Sequence, residues 1–270
     1  MVKRIVVIGT GNMGSALIRG LVNGNMAAPD SVVVYDVDRD KAAALVEELG
    51  VRAAENLEDA VNDSVDVVIL AVKPQVMDTV IARIAGSITE KHLMISLAAG
   101  VPTRFILSRL NKPARVVRSM PNAAAMVGLS ATALCTAGMA DEEDLQVAMN
   151  IFSAVGVAVR VDEKMMNPVT GLSGSGPAYV FSIMESLTDA GVLLGLDRQT
   201  ARKLTVQTVL GAATIASAES VHLGELKDRI TSPGGTTIAG LHVLERSGLG
   251  GILMDAVAAA SRRGDELEPK

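Results

Sequence analysis

The sequence predicts a doubly wound α/β domain followed by an all-helical one. Three observations predict it. Short Val- and Ile-rich runs alternate with helical segments up to about residue 160. A glycine-rich turn joins the first strand to the first helix. Strand-like runs then stop after Glu163.

Each element follows in order. Strands are expected at Arg4–Ile8, Val32–Tyr35, Asp66–Leu70, Leu93–Leu97, Ala114–Arg118, Ser130–Cys135 and Val157–Val161. Helices are expected between them at Asn12–Asn23, Arg39–Leu49, Leu57–Val61, Gln75–Ile84, Pro102–Leu110 and Asp141–Phe152. Continuous apolar strands separated by helices imply a parallel sheet covered on both faces. The second half reads as helices Ala178–Leu194, Arg198–Ala218, Leu223–Ile230, Thr236–Arg246 and Leu249–Arg262. Residues 1–162 and 163–270 are therefore the expected domains. Val206–Ala218 is apolar on nearly all faces. Such a helix needs partners all round, which points to a second subunit.

Composition narrows the function. With 49% apolar and 20% charged residues the chain is globular. A net charge of −5 gives no basis for binding nucleic acid or an anionic membrane. No apolar run approaches the ~20 residues of a membrane span. The opening Met1–Val6 run goes straight into a strand and leaves no room for a secretory leader. The one cysteine, Cys135, forms no intramolecular disulfide and fits a reducing cytoplasm. It reads as a small buried strand residue. Three scattered histidines, His92, His222 and His242, make neither a zinc site nor a Ser-His-Asp set. His92 reads as a surface residue, and His242 as structural.

The turn Gly9-Thr10-Gly11-Asn12-Met13-Gly14 is G-x-G-x-x-G between a strand and a helix. Gly9 permits the tight turn, Gly11 lets a pyrophosphate reach the backbone, and Gly14 lets helix pack on strand. The helix start then offers N–H groups and a positive dipole end. This is a dinucleotide-binding fingerprint. Asp36 ends the second strand 22 residues after Gly14, where an acid meets the adenosine ribose. Asp36 and Asp38 favour NAD(H), and Arg39 favours NADP(H), so NAD(P)H is the expected cofactor. The strand ends Ala71-Val72-Lys73-Pro74 and Ser96-Leu97-Ala98 lie where ligands bind in open α/β sheets.

Two further small-residue segments fall in the helical half. Gly171–Tyr179 (GLSGSGPAY) leads into a helix. Thr231–Glu245 (TSPGGTTIAGLHVLE) puts a Gly-Gly-Thr-Thr run at another helix start, where N–H groups and hydroxyls suit a carboxylate or phosphate. Together with a cofactor domain they point to a substrate site.

Thr231–Glu245 resembles the signature of pyrroline-5-carboxylate reductases. Gly171–Tyr179, Met120-Pro121-Asn122 and Ala71–Pro74 match the same family in order and spacing. The resemblance spans the chain. It implies an N-terminal Rossmann domain, a helical domain that interlocks two subunits, and dimers that in many members assemble into decamers. It also implies reduction of 1-pyrroline-5-carboxylate to L-proline. By that resemblance the Gly9–Gly14, Ala71–Pro74 and Ser96–Ala98 segments contact cofactor, and Asn56 contacts its adenosine end. Thr237 bonds the ring nitrogen, the Gly234-Gly235-Thr236 backbone holds the carboxylate, and Glu163 lies by the substrate pocket. Two departures stand out. Ala123-Ala124 replaces the frequent Thr-Pro, which removes a side-chain role at 123 and the loop's stiffness. Asp36 stands where many NADPH-using members have no acid.

Rival readings are a reductase of another cyclic imine, a hydroxy-acid dehydrogenase with Lys164 as base, and a non-catalytic NAD(P) sensor.

Overall fold

The computed structural model describes residues 3–269. Eight strands form one sheet: β1 (Ile5–Ile8), β2 (Val32–Tyr35), β3 (Arg52–Ala53), β4 (Val67–Leu70), β5 (Leu93–Ser96), β6 (Arg115–Met120), β7 (Ser130–Gly138) and β8 (Gly156–Arg160). Their order is β3-β2-β1-β4-β5-β6-β7-β8. The first six strands are parallel in a 3-2-1-4-5-6 arrangement, which reverses direction of build-up beside β1. β1, β4 and β5 are buried along their whole length, which is why they read as continuous apolar runs.

The sheet is not wholly parallel as expected. β7 pairs with β6 antiparallel, and β8 follows β7. Only a short 3-10 turn, Ala123–Val127, joins β6 to β7. A parallel crossover needs a dozen or more residues, so the chain turns back. The two-residue β3 carries exposed side chains and has no apolar signal to betray it.

Helices cover both faces. α1 (Asn12–Asn23), α2 (Arg39–Leu49) and α6 (Glu142–Ser153) enclose one core, with Leu17, Leu45 and Phe152 against Val7, Ile69 and Val117. α3 (Leu57–Ala60), α4 (Met77–Ile84) and α5 (Thr103–Leu110) enclose the other, with Leu57, Ile81 and Ile106 against Ile8, Val68 and Met94. Alternate residues of one strand thus feed opposite cores.

His92 is fully buried, contrary to its surface reading. Its Nδ1 accepts the Thr89 N–H at 2.9 Å and Nε2 lies 3.1 Å from the Asn62 carbonyl, so both ring nitrogens have partners. Cys135 is buried on β7, and burial pushes its thiol up to about 11. That makes it unreactive at neutral pH.

The chain divides into two compact units. One runs to Ser175 and takes in the chain again from Ala258; the other is Gly176–Val257. Strands do end before Glu163, but the following turns stay with the sheet unit. In them Met166 of α7 (Met166–Val169) packs against Ala133 and Cys135. α12 (Leu249–Leu267) belongs to the helical unit through Val257 and to the sheet unit beyond it, five residues longer than its expected end at Arg262. There Asn167 donates to Asp265 and Glu268.

Thr170–Gly174 forms a π turn, with the Ser175 N–H donating to the Thr170 carbonyl at 2.8 Å. In an α-helix the Ser173 carbonyl would receive the N–H of residue 177, but Pro177 has none. The Asn122 amide fills the gap, donating to the Ser173 carbonyl at 3.0 Å. Its oxygen accepts the Ala124 N–H at 3.1 Å. One side chain therefore caps the Ala123–Val127 turn and holds the π turn, so the Ala123-Ala124 segment is tied without the Thr-Pro pair.

The helical unit comprises α8 (Gly176–Leu193), α9 (Arg198–Ala218), α10 (Leu223–Arg229) and α11 (Thr236–Arg246), with the start of α12. Gly191 of α8 lets Ala201 of α9 approach, since a Cβ on it would lie 3.0 Å from that of Ala201. Asp197 caps α9 through the Thr200 N–H. Much of the unit's apolar surface stays outside: Leu187, Leu204, Leu210, Ile215, Val243 and Ile252 are exposed. An apolar face of this extent marks an association surface.

Candidate active site

The crest of the sheet unit begins where β1 ends. Gly9 has φ +100°, and a Cβ there would lie 2.7 Å from the Ala71 carbonyl oxygen. Gly14 sits under the turn, where a Cβ would lie 2.0 Å from the Gly9 carbonyl oxygen. Gly11 differs from both: a Cβ on it meets nothing within 4 Å. It is the N-cap of α1, with extended backbone, no side-chain cap and no acid in the first turn. The first N–H groups of α1 are thus left to an anion, with no side chain in its path. A dinucleotide pyrophosphate fits this cradle.

A crevice of 470 Å³ opens beside it, at the reversal point between β1 and β4. Its walls include Gly9, Gly11, Asp36, Ala71, Val72 and Lys73, all expected cofactor residues. Three cations line it. Lys41 pairs with Asp38 at 3.0 Å and Arg83 pairs with Glu58 at 2.8 Å. Lys73 has no ion-pair partner among the described residues and is the cation left for a phosphate.

Asp36 is held tightly. Its Oδ2 accepts the Thr10 N–H at 2.7 Å and the Thr10 hydroxyl at 2.9 Å, and its Oδ1 accepts the Asp38 N–H at 2.9 Å. Burial pushes its carboxyl up, but these hydrogen bonds and Lys41 outweigh it and hold it below the usual carboxylate range.

Other expected cofactor residues stand elsewhere. Thr10 is buried beneath the turn. Asn12 lines a separate groove with Arg19 and Met126. Asn56 caps α3, its amide engaged at both ends by Asp59, and only its neighbour Leu57 reaches the crevice wall. Met13, Gly14 and Pro74 support the turns without lining the crevice. Ser96-Leu97-Ala98 lies at the β5 end beside β4, with the Leu97 N–H on the Leu70 carbonyl, also outside the crevice wall. Residues missed in the sequence also line the crevice, among them Val76, Thr79, Val80 and Arg83. Their i, i+3, i+4, i+7 spacing is one helix face.

Glu163 faces the sheet unit. Oε1 accepts the Thr103 N–H at 2.7 Å, and Oε2 accepts the Thr103 hydroxyl at 2.6 Å. The buried Arg118 guanidinium lies 3.4 Å from Oε1. Glu163 thus caps the start of α5 and neutralises a buried cation. Lys164 is highly exposed and lies 3.8 Å from Asp162, with no setting for a catalytic base.

In the helical unit, Gly235 is the N-cap of α11, with extended backbone, no side-chain cap and no acid in the first turn. Gly234 before it has φ +67°. A Cβ on Gly235 would lie 2.3 Å from Ser232 Oγ. The Gly235 N–H donates to the Ser232 carbonyl at 3.0 Å, and the first-turn N–H groups beyond it, from Thr236 on, are free, as at α1. Thr237 is half-buried on its first turn. A groove of 620 Å³ runs alongside, lined by Lys227, Thr231, Gly234, Gly235 and His242 among others. His242 thus faces an open groove.

The chain is 45% identical to the pyrroline-5-carboxylate reductase of Methanosarcina acetivorans, over 99% of both chains. The chain belongs to the pyrroline-5-carboxylate reductase family. Residues 163–267 match the family described as pyrroline-5-carboxylate reductase dimerisation. Residues 4–100 match that described as NADP oxidoreductase, coenzyme F420-dependent. A solved pyrroline-5-carboxylate reductase from Coxiella burnetii superposes with TM-score 0.95 at 38% identity, covering 100% of both chains. The Plasmodium falciparum enzyme, solved with NADP bound, gives TM-score 0.86 at 29% identity over 99% of this chain and 98% of that one. The Rossmann-type sheet unit and the helical unit are thus the family fold. Among the described residues there is no cluster of three or more His, Cys, Asp and Glu able to hold a metal. None of the described helices is long and apolar enough to cross a membrane.

Proposed function

We propose that this chain reduces the cyclic imine 1-pyrroline-5-carboxylate to L-proline with NAD(P)H, the last step of proline biosynthesis. The observation that carries this reading is the pairing of two uncapped, glycine-started helices, α1 and α11, in a chain similar to these reductases along its whole length. The α1 start, Gly9 to Gly14, holds the pyrophosphate, and Lys73 adds a positive charge. Ala71–Pro74 and Ser96–Ala98 supply further cofactor contacts. Asn56, with its amide committed to Asp59, supports the adenosine end through Leu57.

When bound, the reduced nicotinamide supplies a hydride to the imine carbon. The backbone of Gly234, Gly235 and Thr236 holds the substrate carboxylate. The Thr237 hydroxyl donates to the ring nitrogen and relays a proton from water, because the protonated imine is the better acceptor. Positioning and fixed dipoles supply most of the acceleration. Glu163 serves the substrate pocket indirectly, by fixing Thr103 and Arg118.

The exposed apolar helices support a homodimer formed through the helical unit, which in turn builds decamers. The cytoplasm suits a chain with one buried, unreactive thiol. The test is oxidation of NADH and NADPH on adding pyrroline-5-carboxylate. Turnover with either cofactor is expected; turnover only with a cyclic imine of another ring size would replace the substrate, and none at all would refute the reading.

A further inference from the structure

We propose that Thr10 and Asp36 form a clasp that fixes the pyrophosphate turn, which makes both of them positioning residues for NADH and NADPH alike. The inference rests on the reading of the 470 Å³ crevice as a dinucleotide site.

The geometry carries it. A carboxylate offers about four acceptor positions. Asp36 spends three of them on Thr10 N–H, Thr10 Oγ–H and Asp38 N–H, at 2.7, 2.9 and 2.9 Å. One remains, too few for a fork onto both ribose hydroxyls. Two of the three donors belong to the residue between Gly9 and Gly11. Thr10 itself is 4% exposed, so its half of the clasp is shielded from water, while Asp36 is half-buried at the crevice wall. The Gly9 N–H adds a bond to the Tyr35 carbonyl at 2.8 Å. The turn is thereby tied to the end of β2 on consecutive residues. Glycines on both sides of Thr10 give this segment wide backbone freedom, and the clasp removes it before the cofactor arrives.

An acid that only reads the ribose acts on the 2′ position, where the two cofactors differ. A clasp acts on the pyrophosphate, which they share. Titration of the full-length protein with each reduced nucleotide, followed by nicotinamide fluorescence, separates these roles. Thr10→Val removes the hydroxyl and keeps the shape. It should raise Kd for NADH and NADPH by the same factor, roughly tenfold, the scale of one hydrogen bond to a charged group. Thr10→Ser should restore both. Asp36→Glu keeps the charge but displaces the carboxylate, and should also weaken both nucleotides together. It carries the test if Thr10→Val does not fold. Unchanged constants, or a change confined to one nucleotide, would overturn the clasp. The titration needs no substrate, so the clasp stands or falls on it even if pyrroline-5-carboxylate is not turned over. A wild-type protein that binds neither nucleotide overturns the crevice reading and the clasp with it.

Discussion

The two glycine-started helices look alike in sequence and differ in what shapes them. Gly11 and Gly235 are both N-caps with extended backbone and no capping side chain. Around Gly11 the geometry is imposed from far along the chain. Gly9 is pressed by Ala71, and the turn is bonded to Asp36. Around Gly235 it is imposed locally. The one close neighbour is Ser232, and Gly234 has nothing within 4 Å of its Cβ position. The first anion site is therefore rigid as part of a core, whereas the second depends on its own backbone. Substitutions should separate the two.

The largest effect is expected at Gly14→Ala. Its methyl would lie 2.0 Å from the Gly9 carbonyl oxygen, a backbone atom that cannot swing aside. We expect a loss of about 3 kcal/mol, the upper range for overpacking. Thermal melting should fall by roughly 10 °C for a chain of this size, and cofactor binding should go with it. A melting curve like the wild type would show that helix and strand do not pack as described.

Gly11→Ala should have the opposite profile. Its backbone suits any residue, and the added methyl meets open space. Stability should fall by about 1 kcal/mol at most, the difference between Gly and Ala as N-caps. Nucleotide Kd should nonetheless rise about a hundredfold, as for a lost hydrogen bond to a charged group at the top of its range. Normal cofactor binding by this variant would remove the α1 start from the site.

This contrast also shows what a sequence can convey. Gly9, Gly11 and Gly14 are legible because their spacing between a strand and a helix encodes a backbone shape. Asp36 is legible as an acid at a strand end, but its bonds to Thr10 are not, because they depend on the side-chain rotamer. Val76, Thr79, Val80 and Arg83 announce a helix face. Which face turns to the crevice is decided by the packing of Met77, Ile81 and Ile84 on the other side. The π turn is hidden for a related reason. Pro177 marks a lost donor, and only the fold brings Asn122 to replace it. β7 is legible as a strand but not in its direction, although its short connection from β6 holds the information. His92 reads wrongly because a lone polar ring gives no sign of the partners that Thr89 and Asn62 supply.

The third effect concerns chemistry at the second helix start. Thr237→Ala should lower kcat about a hundredfold, the lower range for a general acid. Nucleotide binding should stay near that of the wild type, since α1 and its crevice are untouched. Unchanged turnover would take the proton-donor role from Thr237.

The smallest effect, and the one that best separates local from imposed geometry, lies at Gly234. Its φ of +67° is a left-handed conformation, and no neighbour crowds it. Alanine there would cost about 1–2 kcal/mol of backbone strain and nothing in packing. If the turn is set by its own backbone, it relaxes, and the free N–H groups from Thr236 on swing away from the carboxylate. KM for pyrroline-5-carboxylate should then rise roughly fivefold to thirtyfold, the equivalent of that strain, while nucleotide Kd stays unchanged. Asparagine tolerates the left-handed region better than alanine, so Gly234→Asn should recover part of the loss despite its larger side chain. Recovery by the bulkier residue identifies backbone conformation as the cause. If asparagine is worse than alanine, the space beside Gly234 is filled during catalysis, and the second anion site is shaped from outside its own turn after all.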